Sequence, residues 1–124
     1  MNYASINEAL MSRFPELDLL FKEQIEFWEG EDMPPHCFMG DVLNKYVTEL
    51  LRKNSDAQQI KKIFQFYEEM ASSDDWLVRN LLQVTLLEYL WDEDYVFKNA
   101  LENMQPKTRI MNDEIGAYLR MPSV

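Results

Sequence analysis

The stretch 73–91, SDDWLVRNLLQVTLLEYLW, decides how the rest of the chain is read. Two carboxylates, Asp74 and Asp75, come first, and an almost uninterrupted apolar run follows. Carboxylates at the start of a helix cap its free N–H groups and sit well against the positive end of its dipole. Between 76 and 91 the apolar or aromatic positions are 76, 77, 78, 81, 82, 84, 86, 87, 89, 90 and 91. No period of two runs through them, and the segment is too long for a typical strand. A helix apolar nearly all round is covered by neighbours on several sides. We therefore expect 76–91 to be the buried spine of an all-helical domain, with Trp91 at its exit.

Working outward from that spine, six more helices fit the pattern, and no segment alternates like a strand. The first is expected from Ser5 to about Arg13, with Ser5 and Glu8 as an S-x-x-E capping box. Pro15 opens the second, which carries Leu17, Leu20, Phe21, Ile25 and Trp28 inward and stops at Gly30. EDMPPHCFMG, at 31–40, reads as the least regular loop. A third helix begins between Phe38 and Asp41 and closes at Asn54, with Val42, Leu43, Tyr46, Val47, Leu50 and Leu51 on its apolar face. Ser55 and Gln58 form a second capping-box pattern for a fourth helix reaching Ala71, with Ile60, Ile63, Phe64 and Tyr67 inside. Asp92 to Asp94 end the spine and start a sixth helix that buries Tyr95, Val96, Ala100, Leu101 and Met104. Pro106 opens the seventh, with Ile110, Met111, Ile115, Tyr118 and Leu119 inward, and the tail MPSV is expected to fray.

At 124 residues a single domain over 1–124 is the economical division. A chain of this length buries enough surface for one core. Nowhere do 18 apolar residues run together, so no membrane-spanning helix is expected, and the N-terminus has no signal-peptide block. One cysteine, Cys37, has no partner within the chain, which suits a reducing cytoplasm. Twelve basic residues face 22 acidic ones, a formal charge of −10. Such a field disfavours nucleic acid and anionic membrane as ligands and favours a basic partner, while also serving solubility.

Asp75, Val78 and Arg79, followed by Leu81, Leu82, Val84 and Leu86, resemble the start of the inner helix of HEAT-type repeats. That resemblance implies antiparallel hairpins with HEAT-like packing: 55–91 as one, the second and third helices as another, and Arg79 reaching an acid on the neighbouring hairpin. No repeat of 40 to 47 residues is evident, so a compact domain is expected rather than an array. Across a longer span, FPELDLLF, WEGEDMPPHCFMGDVLNKYVTELL and IKKIFQFYEEMASSDDWLVRNLLQVTLLEYLWD resemble short, acidic, all-helical immunity proteins of bacterial toxin–immunity and contact-dependent inhibition systems. That likeness implies a protein-binding role, in which a cognate toxin domain is neutralised. It defines no functional residue to carry over.

Catalytic chemistry finds little support. His36 and Cys37 are adjacent, yet the chain has only this histidine, so neither a metal site nor a Cys-His nucleophile can be assembled from what is present. Cys37 is expected to be tucked in as a small apolar residue. Glu88, alone on the spine, is expected to pair with Arg109 or Lys62, and a functional role for it stays open. Phosphate-binding, dinucleotide, C-x-x-C and H-E-x-x-H motifs are all missing, so no enzyme activity and no cofactor is expected.

Acidic clustering carries the functional expectation. Residues 15–42 hold eight carboxylates against Lys22, a net of −7, and 86–97 hold Glu88, Asp92, Glu93 and Asp94 with no base. Phe27 and Trp28 flank the first cluster, and Tyr89, Trp91 and Tyr95 flank the second. Charge sets the rate of encounter with a basic surface, and aromatic side chains anchor it. Nuclease clefts are basic because they bind phosphate. The expectation is therefore an immunity protein that occludes a toxin, most simply a basic nuclease domain, through Glu26, Trp28, Glu29, Glu31, Asp32, Asp92, Glu93 and Asp94. The alternatives are a HEAT-like scaffold or adaptor for another protein, or a solvated acidic face over aromatics that belong to the core.

Overall fold

Helical punctuation decides the architecture. The computed structural model describes residues 1–119, so the expectation for the MPSV tail lies outside the described residues. Among those described there are seven helices and no strand. We label them α1 (3–13), α2 (15–28), α3 (35–53), α4 (Ala57–Ala71), α5 (76–92), α6 (Asp94–Asn103) and α7 (Pro106–Leu119). The fold is all-α.

Several boundaries differ from expectation, each for a local reason. Asn2, not Ser5, caps α1: its side chain accepts from the Ser5 N–H, and a 3-10 turn at Tyr3–Ser5 leads into the helix. Asp56 rather than Ser55 caps α4, accepting from the Gln59 N–H. The segment expected as an irregular loop is helical from Pro35, because a proline at the first helical position costs no hydrogen bond. Cys37 consequently lies on the outer side of a helix and is exposed, not tucked in.

Successive helices fold back on one another. Asn54, in the left-handed conformation (φ 48°), turns α3 into α4, and Asp75 caps α5 by accepting from the Leu77 N–H. The other Asp75 oxygen accepts from the Tyr3 N–H at 2.8 Å, tying the chain start to the α4–α5 turn. Between α3 and α5 the contacts rise in step, from His36 with Thr85 to Arg52 with Glu93. These two helices therefore run parallel, with α4 antiparallel to both, as stacked hairpins require.

The spine is shared. α5 buries Val78, Leu81, Leu82, Leu86, Leu87 and Leu90, but Trp76, Leu77, Val84 and Tyr89 are exposed, so α5 is not covered all round. α4 buries Ile60, Ile63, Phe64, Phe66, Tyr67 and Met70 and contacts α3, α5, α6 and α7. Phe66 takes Phe14 edge-on at 5.5 Å, and the Arg13 guanidinium lies over its ring. The Arg13 fork also holds Glu69 at 2.6 and 2.7 Å. That pairing keeps the Glu69 carboxyl below its usual range, against the opposing effect of partial burial. Glu68 caps α7 by accepting from the Lys107 and Thr108 N–H groups and the Thr108 hydroxyl. Burial alone would raise the Glu68 carboxyl, but those donors outweigh it and hold it low.

The ring of Trp91 packs into this frame. It lies 4.2 Å from Phe97, its indole N–H donates to the buried Asn112 side chain, and its edge abuts Gly116. A Cβ at position 116 would come within 2.8 Å of the ring, so only glycine admits this approach. Outward turns of α6 and α7 expose Tyr95, Ile110, Tyr118 and Leu119, which were expected inside. Arg79 bonds the Ser73 carbonyl in its own preceding turn, not an acid on a neighbouring hairpin.

Candidate binding surface on helix two

Two turns of α2 face away from the core because that core is already filled by Leu17 and Phe21. Positions 19, 23 and 27 are four apart and form one stripe. Leu19 is 77% exposed and Phe27 73%, with Glu23 between them and Glu26 beside them. Ile25, expected inside, is 42% exposed. Large apolar side chains at these exposures, set among carboxylates, are the kind of group that contributes at an interface.

After Trp28 the chain reverses through two left-handed residues, Glu29 (φ 48°) and Gly30 (φ 83°). Glycine adopts this conformation freely, whereas a side-chain-bearing residue there costs about 1–2 kcal/mol. The turn thus holds Glu29 outward at a local cost. The Asn7 side-chain amide then donates to the Met33 carbonyl at 2.9 Å and pins the following loop against α1. Glu31 and Asp32 come to line a cleft of about 440 Å³ together with Glu8, which sequence reasoning did not connect with them. Among the described residues no ion pair reaches Glu8, Glu23, Glu26, Glu29, Glu31 or Asp32.

Trp28 sits differently from its expected role. It is half-buried, its enclosed indole N–H finds no partner among the described residues, and Phe27 packs edge-on to it at 5.9 Å. The aromatic ring presented to solvent is therefore Phe27. The signal was in the sequence, because 19, 23 and 27 share a stripe that excludes 17, 21 and 28.

The second acidic cluster is built otherwise. Glu93 is clamped by Arg52, which also holds Glu49. Asp94 opens α6, where a carboxylate favours the helix dipole, and Asp92 is exposed at the end of α5. Trp91 is committed to the core, leaving Tyr89 and Tyr95 as the exposed rings. The structure does not place the two clusters in one cleft.

Remaining chemical candidates resolve into structural roles. The His36 ring bonds the Thr85 hydroxyl, and the Asn44 side-chain amide donates to the Thr85 carbonyl. These contacts knit α3 to α5 where both helices widen into π turns, at 40–44 and Leu82–Leu87. Glu88 makes no ion pair among the described residues: Lys62 goes to Glu16 and Arg109 to Asp113. No group of histidine, cysteine, aspartate and glutamate among the described residues is arranged to hold a metal. No described helix is long and apolar enough to cross a membrane.

No curated protein and no solved structure matches the chain. The family comparison covers the helical body from α1 to α7. Residues 7–117 match the model described as a domain of unknown function, DUF7674, and the chain belongs to that family.

Proposed function

We propose that this protein is a non-catalytic inhibitor that binds a basic partner protein through the outward face of α2 and the 29–32 turn. The chemistry of that face fits an immunity protein that neutralises a cognate bacterial toxin domain, most simply a nuclease. The observation that carries the reading is the stripe Leu19–Glu23–Phe27, two exposed apolar side chains beside Glu23, Glu26, Glu29, Glu31 and Asp32, which make no ion pair among the described residues. Apolar anchors desolvate at the centre of an interface while surrounding charge steers association. A phosphate-binding cleft is basic by necessity, so a surface of this kind competes for it with the substrate.

The proposed interface comprises Glu26, Glu29, Glu31 and Asp32 with Phe27 as anchor and Trp28 as its support. Asp92, Glu93 and Asp94 form a secondary, rim-type contact. Co-expression with the product of the adjacent open reading frame tests the reading. Co-purification, and rescue of cells from that product's toxicity, support it. Rescue that persists when Glu26, Glu29, Glu31 and Asp32 are all reversed to lysine sinks the site assignment. A stable partner without toxicity would instead favour the adaptor role.

A further inference from the structure

On the side of the molecule formed by α5 and α7 lies a groove of about 450 Å³, lined by Trp76, Asn80 and Gln83 from one helix and Lys107, Ile110 and Glu114 from the other. Trp76 is 63% exposed and Ile110 60%, both on the groove. Arg79 also lines it, so its charged residues are two bases and one acid, a departure from a chain of net −10. We propose that a second copy of this chain docks here, α7 against α7 in antiparallel sense, to form a two-fold symmetric dimer.

The argument rests on how charge is distributed along α7. Lys107 and Glu114 are seven residues apart, two turns on one stripe, with Ile110 and Met111 midway. A two-fold axis passing beside Ile110 puts Lys107 of each copy opposite Glu114 of the other. An isologous interface requires this self-complementarity, since every contact occurs twice with its roles exchanged. Among the described residues neither Lys107 nor Glu114 is engaged in an ion pair, so both are available.

Electrostatics singles out the occupant. Two copies of a strongly acidic chain repel wherever their carboxylate-rich faces meet. At the α5–α7 groove the charges interleave, and the exposed indole of Trp76 has an apolar neighbour in Ile110 to bury against. This face is separate from the outward stripe of α2, so the dimer leaves two copies of that stripe accessible.

Sedimentation velocity across a range of protein concentrations tests the proposal on the full chain. The expected result is a reversible monomer–dimer equilibrium that Trp76→Ala shifts at least about tenfold toward monomer, because indoles dominate such interfaces. Lys107→Glu alone and Glu114→Lys alone are each expected to weaken the dimer. The combined Lys107→Glu and Glu114→Lys variant is expected to restore it, which misfolding cannot mimic. A chain that stays monomeric at millimolar concentration overturns the proposal. So does a dimer indifferent to the single changes, a combined variant that fails to recover, or a groove that instead takes up a helix of another protein.

Discussion

The two acidic regions have similar composition and opposite construction. On the outward face of α2 and in the 29–32 turn, Glu23, Glu26, Glu29, Glu31 and Asp32 make no ion pair among the described residues, beside exposed Leu19 and Phe27, and one of them occupies a costly left-handed conformation. Around 92–94, the central carboxylate is clamped by Arg52, the next serves a helix terminus, and the largest ring is packed against Gly116. Acid next to an aromatic residue is thus not by itself a binding signature. The distinction lies in whether the fold has already used those groups. On the second site it largely has; on the first it has not.

The sharpest way to break the comparison is to truncate one exposed ring from each region. Phe27→Ala is expected to cost about 2–4 kcal/mol in partner binding, roughly 30-fold to 1,000-fold, as central aromatic anchors do. Tyr95→Ala is expected to cost less than about 1 kcal/mol, in keeping with a rim contact. Calorimetric titration with the co-purified partner reads both. Thermal unfolding of Phe27→Ala should remain close to that of the parent, because a ring 73% exposed contributes little to the core. Equal losses at the two sites would show that the contrast between them has no functional meaning.

Gly116→Ala attacks the support of the second region. The added methyl meets the Trp91 ring at 2.8 Å in a packed setting, and overpacking of this kind costs about 1–3 kcal/mol. Urea unfolding should show the loss as a lower midpoint with an unchanged slope. Partner binding measured well below that midpoint should be nearly intact, since α2 makes no use of Trp91. A binding defect as large as that of Phe27→Ala would move the interface to the α5–α7 side.

Sequence patterning was a good guide where the core decides the outcome and a poor one where the surface does. The apolar positions of α3 and α4 and the cap at Asp75 were legible because each element had one buried face or one well-placed carboxylate. Tyr95, Ile110 and Tyr118 satisfied a helical period yet point outward, because no described helix covers that side of α6 and α7. The caps at Asn2 and Asp56 were missed because neighbouring polar residues compete for the same N–H groups, and only the turn geometry chooses between them. At the candidate surface the carboxylates are legible from composition alone, whereas the anchor is legible only from the register of the 19–23–27 stripe. Phe27 and Trp28 are adjacent, and a rotation of one residue along the helix decides which ring faces solvent.

Glu29 offers a smaller but cleaner test of the first region. Replacement by glycine relieves the left-handed strain and should stabilise the fold by up to about 1 kcal/mol, reduced by the greater freedom of glycine in the unfolded chain. The same change removes a carboxylate held at the rim of the proposed interface, so binding should weaken as stability rises. Opposed signs are what a strained residue kept for contact produces. If both rise, or both fall, Glu29 is part of the scaffold.

The smallest effect concerns the clamp on Glu93. Arg52 and Glu93 are each about half exposed in their side chains, at 43% and 48%, so water and salt screen their attraction. Exposed pairs of this kind contribute little to folding, and Arg52→Ala should leave the unfolding midpoint unchanged within error. Its consequence is expected elsewhere: release of Glu93 and Glu49 makes the second cluster resemble the first in available charge while leaving it without an apolar anchor. If charge alone governed recognition, this variant would bind the basic partner more tightly. The expected result is a modest gain in association rate at low salt, with no change in dissociation rate, because steering responds to net charge whereas residence depends on a desolvated anchor such as Phe27.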